Sequence, residues 1–278
     1  MQFRTLENRT VKELCNLFNA AFADYVVKIE MTPEKLQDKF ESEDVSLEHS
    51  VGIFSDGKPV GFIFHAVRNS VAGKMAYNAG TGVIPKFRGK NATVLMYKFI
   101  LPKLAKSGVK EVVLEVIDKN IPAIKSYKKV GFTILYELEC YNGFPSISKS
   151  KGPFIEEELA ENFAPPEHFW NWQPTWQNAT QTVIQSGHYK TWSIFQDNTP
   201  IAYLTGSQES GRIAQFAVDP DQRWKGLGTS LFCHFAGLSS NTPMVINVAD
   251  KTGQTQDFLK AIGMKLFLKQ YKMKLKLQ

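Results

Sequence analysis

One pattern occurs twice in this chain, in register and about half a chain apart, and that repetition constrains the fold more than any other feature. Val83-Ile84-Pro85-Lys86-Phe87-Arg88-Gly89-Lys90-Asn91-Ala92-Thr93 aligns without gaps on Val218-Asp219-Pro220-Asp221-Gln222-Arg223-Trp224-Lys225-Gly226-Leu227-Gly228, which Thr229 follows. Each copy ends a β-like apolar run and opens a helix-like one, Val94 to Leu104 in the first and Ser230 to Leu238 in the second. Strand, turn and helix N-terminus in that order suit an anion, because the first N–H groups of a helix have no partner within it and point outward. A chain of 278 residues exceeds what most single cores support. The duplication therefore reads as two related domains, 1–145 and 146–278, joined through the turn-rich stretch from Asn142 to Pro153.

Periodicity fills in both halves. Thr10 caps a helix to Phe22 whose apolar residues Val11, Leu14, Leu17, Phe18 and Ala21 share one face. Thr32-Pro33-Glu34 opens a second helix, with Pro33 in the first turn and Glu34 at the positive end of the dipole. Strands follow at Ser50–Phe54 and Val60–Ala66 around an Asp56-Gly57 hairpin turn, then at Ala76–Ile84. After the first repeat come strand Glu111–Ile117, helix Pro122–Val130 and strand Phe132–Tyr141. The second half repeats the later part of this order. It has strands at Trp192–Phe195, Pro200–Gly206, Ile213–Val218 and Met244–Val248, a short helix at Asp257–Ile262 and strand residues from Met264 to Leu277. The fold expected is α/β (α+β), each domain a mixed, mostly antiparallel sheet flanked by helices. Aromatics crowd Pro165 to Trp176, where packing on the second sheet or against the first domain competes with lining a pocket.

Composition narrows the function. The net charge is +6, but most of the excess falls before residue 150 and no long single-sign run appears, which weighs against a nucleic-acid footprint. Lys269 to Leu277 alternates Lys with other residues and reads as a strand with one solvated Lys face. No stretch reaches the roughly 18 apolar residues of a membrane span, and the first residues lack a signal-peptide core, so a cytoplasmic protein is expected. Cys15, Cys140 and Cys233 suit neither a disulfide framework nor a zinc site, and the five histidines show no metal-ligand spacing, so no metal is expected.

The repeated segment resembles the cofactor motif of the GNAT N-acetyltransferase superfamily, here as a tandem pair. That motif is Arg or Gln, two residues, Gly, one residue, then Gly or Ala. Arg223-Trp224-Lys225-Gly226-Leu227-Gly228 satisfies it in full, whereas Arg88-Gly89-Lys90-Asn91-Ala92-Thr93 places Asn91 and Thr93 where small residues are usual. The resemblance implies an acetyl-CoA-dependent N-acetyltransferase whose co-substrate pyrophosphate lies on Arg88 to Thr93, on Arg223 to Thr229, or on both. It also implies strands that splay before each cradle, with a backbone amide near Val83 or Val218 polarising the thioester carbonyl.

The chemistry residues diverge between the halves. Leu114-Glu115-Val116-Ile117-Asp118-Lys119-Asn120 through Tyr127 to Gly131-Phe132 resembles the segment of ribosomal-protein alanine N-acetyltransferases in which the matching Glu is general base, the Asn contacts the cofactor and the Tyr is general acid. Carried over, Glu115 takes the proton of an ammonium substrate, Tyr127 protonates the departing thiolate and Asn120 touches acetyl-CoA. In the second half Asn247 stands at the Glu position and Leu259 at the Tyr position, and neither transfers a proton. The expected reaction is direct attack of a primary amine on the thioester in a ternary complex, favoured in the first domain. The acceptor is a small amine or a protein N-terminus; the residues fix neither the acceptor nor the oligomeric state. Alternatives are an active second domain, a non-catalytic acyl-CoA-binding regulator, or transfer of an aminoacyl group from tRNA.

Overall fold

The computed structural model describes residues 1–24, 30–70, 73–146 and 153–277, so the middle of the linker expected between Asn142 and Pro153 lies outside the described residues. Two compact units form, Met1–Tyr136 with Tyr271–Gln278, and Glu137–Gln270. This division differs from a boundary at 145: the last residues of the chain belong with the first unit, because the final strand pairs where a strand is missing rather than where it is nearest in sequence.

The first unit contains β1 (Gln2–Thr5), α1 (Val11–Phe22), α2 (Pro33–Glu43), β2 (Val45–Ser55), β3 (Lys58–Ser70), β4 (Gly73–Val83), α3 (Ala92–Lys106), β5 (Val109–Ile117) and α4 (Ile121–Val130). The first residues of β6 (Thr133–Asn142) follow. The second contains the rest of β6, then β7 (Glu156–Leu159), α5 (Thr180–Ser186), β8 (Lys190–Gln196), β9 (Thr199–Ser207), β10 (Arg212–Val218), α6 (Leu227–Leu238), β11 (Met244–Val248) and α7 (Gln254–Ala261). In β12 (Lys265–Lys276), residues up to Gln270 belong to the second unit and those from Tyr271 to the first. Strands run in the order β1-β2-β3-β4-β5-β12 in the first unit and β6-β11-β10-β9-β8-β7 in the second. Pairing is antiparallel between β1 and β2, β2 and β3, and β3 and β4, and parallel between β4 and β5. The second unit repeats this, with only β10 and β11 parallel among its registered pairs.

Local chemistry explains most boundaries. Thr10 and Glu13 form a reciprocal capping box at α1, and Thr32 caps α2 with Pro33 in its first turn. Asp56 and Gly57 both have positive φ, as do Asp197 and Asn198 in the matching hairpin, which lets each tight turn follow the twist of its strands. Sequence reading missed β1, β7 and α5, all short elements whose few apolar residues give no clear period.

Alternation divides the first sheet into two faces. Val112, Leu114 and Val116 of β5 join Met96, Tyr97, Ile100 and Tyr127 in the core beneath α3 and α4. Phe62 and Phe64 of β3 lie on the other side, against Phe18 and Phe22 of α1 and Phe40 of α2. Glu115 falls on the α1/α2 side of β5.

Candidate active site

The two cradles share one backbone design. Arg88 Nε donates to the Val83 carbonyl at 2.9 Å, and Arg223 Nε donates to the Val218 carbonyl at 3.2 Å. Each guanidinium thus folds back onto the end of its own strand. The Arg88 guanidinium also makes a two-pronged bond to Asp24, at 2.8 and 2.7 Å, and reaches the Ala21 carbonyl, whereas that of Arg223 reaches the Phe169 carbonyl at 2.9 Å. Both arginines shape the turn from behind instead of facing a ligand as bare cations.

Left-handed backbone recurs at matching places, Gly89 and Asn91 in the first cradle, Trp224 and Gly226 in the second. Asn91 keeps the geometry that glycine supplies elsewhere, since its short amide tolerates this region better than most side chains. Gly226 has open space around it, so its backbone angle demands glycine; Gly228 is held by space, because an added Cβ would meet Phe258 at 3.0 Å. Neither α3 nor α6 has a side-chain cap, so the first N–H groups after Asn91 and Gly226 remain available to an anion.

The cradles differ in charge. Lys86 and Lys90 flank the Phe87 ring at 5.0 and 6.0 Å, and Lys129 of α4 donates to the Asn91 side chain at 3.4 Å. The departure from glycine at Asn91 therefore recruits a cation. In the second cradle Asp219 and Asp221 offset Arg223 and Lys225, and Lys225 is engaged by Gln222 at 2.8 Å.

Behind each cradle the parallel strands part. Registered pairing of β4 with β5 ends at Tyr77 opposite Val113, leaving Asn78 to Val83 unpaired on that side. β10 and β11 pair only at Arg212 and Ile213 with Met244 and Val245. The Ile84 N–H donates back to Val60 and that of Asp219 to Ile201, so strand alternation turns the Val83 and Val218 N–H groups toward these gaps.

Inside the first gap, Asn78 donates to the Tyr97 hydroxyl and to Thr81 Oγ1, both at 2.8 Å. Tyr97 lies edge-on to Tyr127, with ring centroids 6.2 Å apart, and burial pushes its phenol well above the ordinary value. Glu115 and Tyr127 are not brought side by side: Tyr127 is in the α3/α4 core, whereas Glu115 faces the opposite side of β5. Between those faces lies the gap. Glu115 Oε1 accepts from Lys272 Nζ at 2.7 Å, the two side chains being 5% and 11% exposed, while Glu115 Oε2 is buried with no hydrogen-bond partner among the described residues. The Lys272 pairing corrects the sequence expectation of a solvated Lys face on β12. Spacing in the sequence gives no signal for it, since Glu111 and Glu115 are four residues apart and Lys272 and Lys274 two; Lys274 meets Glu111 at 3.2 Å. Asn120 caps α4 by accepting from the Ala123 N–H at 3.2 Å.

The second gap is lined differently. Asn247 is buried at positive φ, donating to Thr175 at 3.1 Å and accepting from Gln270 at 2.8 Å. Leu259 is fully buried in the core. Asp250 folds onto the start of α7: burial pushes its carboxyl up, but hydrogen bonds from Thr252 and Thr255 outweigh this and hold it at about 2. The aromatic stretch packs on its own sheet, Trp170 donating to the Tyr203 hydroxyl and Trp172 meeting Phe216 edge-on at 6.0 Å. Among the described residues no cluster of three or more His, Cys, Asp or Glu could hold a metal, and no helix is long and apolar enough to cross a membrane.

A model of the acetyltransferase (GNAT) family matches residues 11–132 and 155–236, one region in each half. The chain belongs to the GNAT acetyltransferase family. This GNAT protein is an acyltransferase with two domains of that fold in tandem. Comparison with curated proteins gives no match. Among solved structures, it resembles a GCN5-related N-acetyltransferase from Sphaerobacter thermophilus, with 13% identity and TM-score 0.71 over 99% of this chain and 95% of the other. It also resembles an acetyltransferase candidate from Pyrococcus horikoshii, with 13% identity and TM-score 0.69 over 100% and 89%. A third is a tandem GNAT protein from the clavulanic acid biosynthesis pathway, with 12% identity and TM-score 0.68 over 99% and 98%.

An acyl-CoA fits the first cradle on two structural grounds, the uncapped start of α3 and the lysines of the cradle, Lys86 and Lys90 over Phe87 and Lys129 on Asn91.

Proposed function

We propose that this GNAT protein transfers the acetyl group of acetyl-CoA to a primary amine by direct attack, with the chemistry in the first unit. The observation that carries this reading is Glu115: a buried carboxylate with one oxygen anchored and the other without a hydrogen-bond partner among the described residues, beside the gap between β4 and β5. The cradle from Arg88 to Thr93 would hold the pyrophosphate through its N–H groups, with Lys86, Lys90 and Lys129 offsetting the phosphate charge. The Val83 N–H, turned toward the gap, would polarise the thioester carbonyl. Glu115 removes a proton from the ammonium form of the acceptor, and Tyr127 supplies one to the leaving thiolate. Acceptor and donor would approach from opposite faces of β5, which fits a small amine or an extended protein N-terminus entering on the α1/α2 side.

The second unit supports a separate role. Its cradle keeps Gly226 and Gly228 while Asn247 and Leu259 offer no acid or base, so it would bind acyl-CoA without turning it over. Calorimetry on the full chain tests both statements. Asn91→Asp/Thr93→Asp should abolish the acetyl-CoA site that supports turnover, since a carboxylate there repels the pyrophosphate. Gly226→Asp/Gly228→Asp should leave kcat within about twofold while removing any second binding event. Loss of turnover in the second variant alone would move the active site to the second unit.

A further inference from the structure

We propose that Lys272, on β12, is the positioning residue of the first unit's acid–base site, holding the Glu115 side chain aimed at the gap between β4 and β5. This rests on the reading of Glu115 as general base. The juxtaposition joins residues 157 positions apart in sequence.

Strand alternation sets it up. Met273 enters the core beneath α3 and α4, so Lys272 and Lys274 turn to the other face, opposite Glu115 and Glu111 of β5. The two pairs are not equivalent. Lys274 and Glu111 are 27% and 25% exposed, whereas Lys272 and Glu115 are nearly covered. Burying an ion pair is costly, and an apolar pair of similar volume would support two strands at least as well. A device confined to strand pairing would not need the inner pair charged.

Two further observations point to the reaction. Lys272 Nζ lies 5.9 Å from the centroid of Tyr77, the last residue of β4 registered against β5. The ammonium therefore stands where the strands begin to part. Its bond to Oε1 fixes the carboxylate, and buried Oε2 has no hydrogen-bond partner among the described residues, which leaves that oxygen to accept from an incoming group. The proton of an incoming ammonium is what a carboxylate oxygen there accepts, while the amine nitrogen lone pair becomes free to form the new C–N bond. Among the described residues, Lys272 is the cation that touches Glu115, and Lys274 on the same strand is engaged by Glu111.

The test uses the full chain as Lys272→Met, Lys272→Arg and Glu115→Gln, assayed with acetyl-CoA against a panel of primary amines from pH 6 to 9.5, with acetyl-CoA affinity measured by calorimetry. Lys272→Met should keep acetyl-CoA affinity within about twofold while lowering kcat/KM and changing its pH profile. Lys272→Arg should restore most of the wild-type profile. A readout independent of turnover is the 1H–15N resonance of the Lys272 ammonium, shielded from water exchange by burial and expected to vanish in Glu115→Gln. This resonance is measured on the wild-type fold even if Lys272→Met fails to fold. An unchanged pH profile in Lys272→Met, with Glu115→Gln inactive, would overturn the role of Lys272 while leaving Glu115 as base. Full activity in Glu115→Gln would overturn both, and absence of the shielded ammonium signal in the wild-type protein would overturn the pairing itself.

Discussion

At the scale of single residues, the two halves share geometry and differ in chemistry. Arg88 and Arg223 each clamp the carbonyl that ends their strand, and left-handed residues recur at the same offsets beyond them. Glu115 keeps a buried oxygen with no partner among the described residues, whereas Asn247 satisfies its amide on both sides. Glu115→Gln should lower kcat by about 10²- to 10⁴-fold with little change in acetyl-CoA affinity, and Tyr127→Phe by a similar factor, both read from steady-state kinetics. His65 supplies a prediction about pH. Burial at 0% exposure pulls its imidazole down to about 4, against an ordinary value of 6.5, with Nε2 unpartnered and the ring edge-on to Tyr97 at 5.7 Å. Its folded value lies below its unfolded one, so the neutral form is favoured in the folded state. The resulting stability is complete above about pH 6.5 and is lost as pH falls toward 4, amounting to roughly 3 kcal/mol. Denaturant unfolding of wild type and His65→Leu across that range should show the slope in the first and a flatter dependence in the second.

At the scale of elements, the cradle helix and the last strand carry the distinctive features. The duplicated motif, the Asp56-Gly57 turn and the caps at Thr10 and Thr32 were legible because each rests on neighbours in sequence. The charge difference between the cradles was equally legible, in Lys86 and Lys90 against Asp219 and Asp221, but it gains meaning only with Lys129 brought to Asn91 from α4. β12 was read correctly as a strand and wrongly as solvated on its Lys face, since alternation shows which side chains share a face but not what covers it. Met273 of that strand is fully buried in the first core. Met273→Ala should cost about 2–5 kcal/mol in chemical denaturation, a large effect for a residue so near the end of the chain.

At the scale of the molecule, the unit that contains Glu115 is built from both ends of the chain. A fragment of residues 1–145, the boundary that sequence suggests, lacks Tyr271 to Leu277 and with them Met273 and both lysine partners of β5. Such a fragment should show no cooperative thermal transition by circular dichroism, and one as sharp as that of the full chain would show that the strand is dispensable. By itself, the sequence determined the tandem family and the two matching turns that open α3 and α6, because these reside in short runs whose geometry is local. Only the tertiary structure decided which strand completes the first unit, that Glu115 is held by Lys272, and that Glu115 and Tyr127 face opposite sides of β5. Those facts depend on long-range strand pairing, where the loss of chain entropy is offset by burial, and no local run of residues encodes which partner provides that burial.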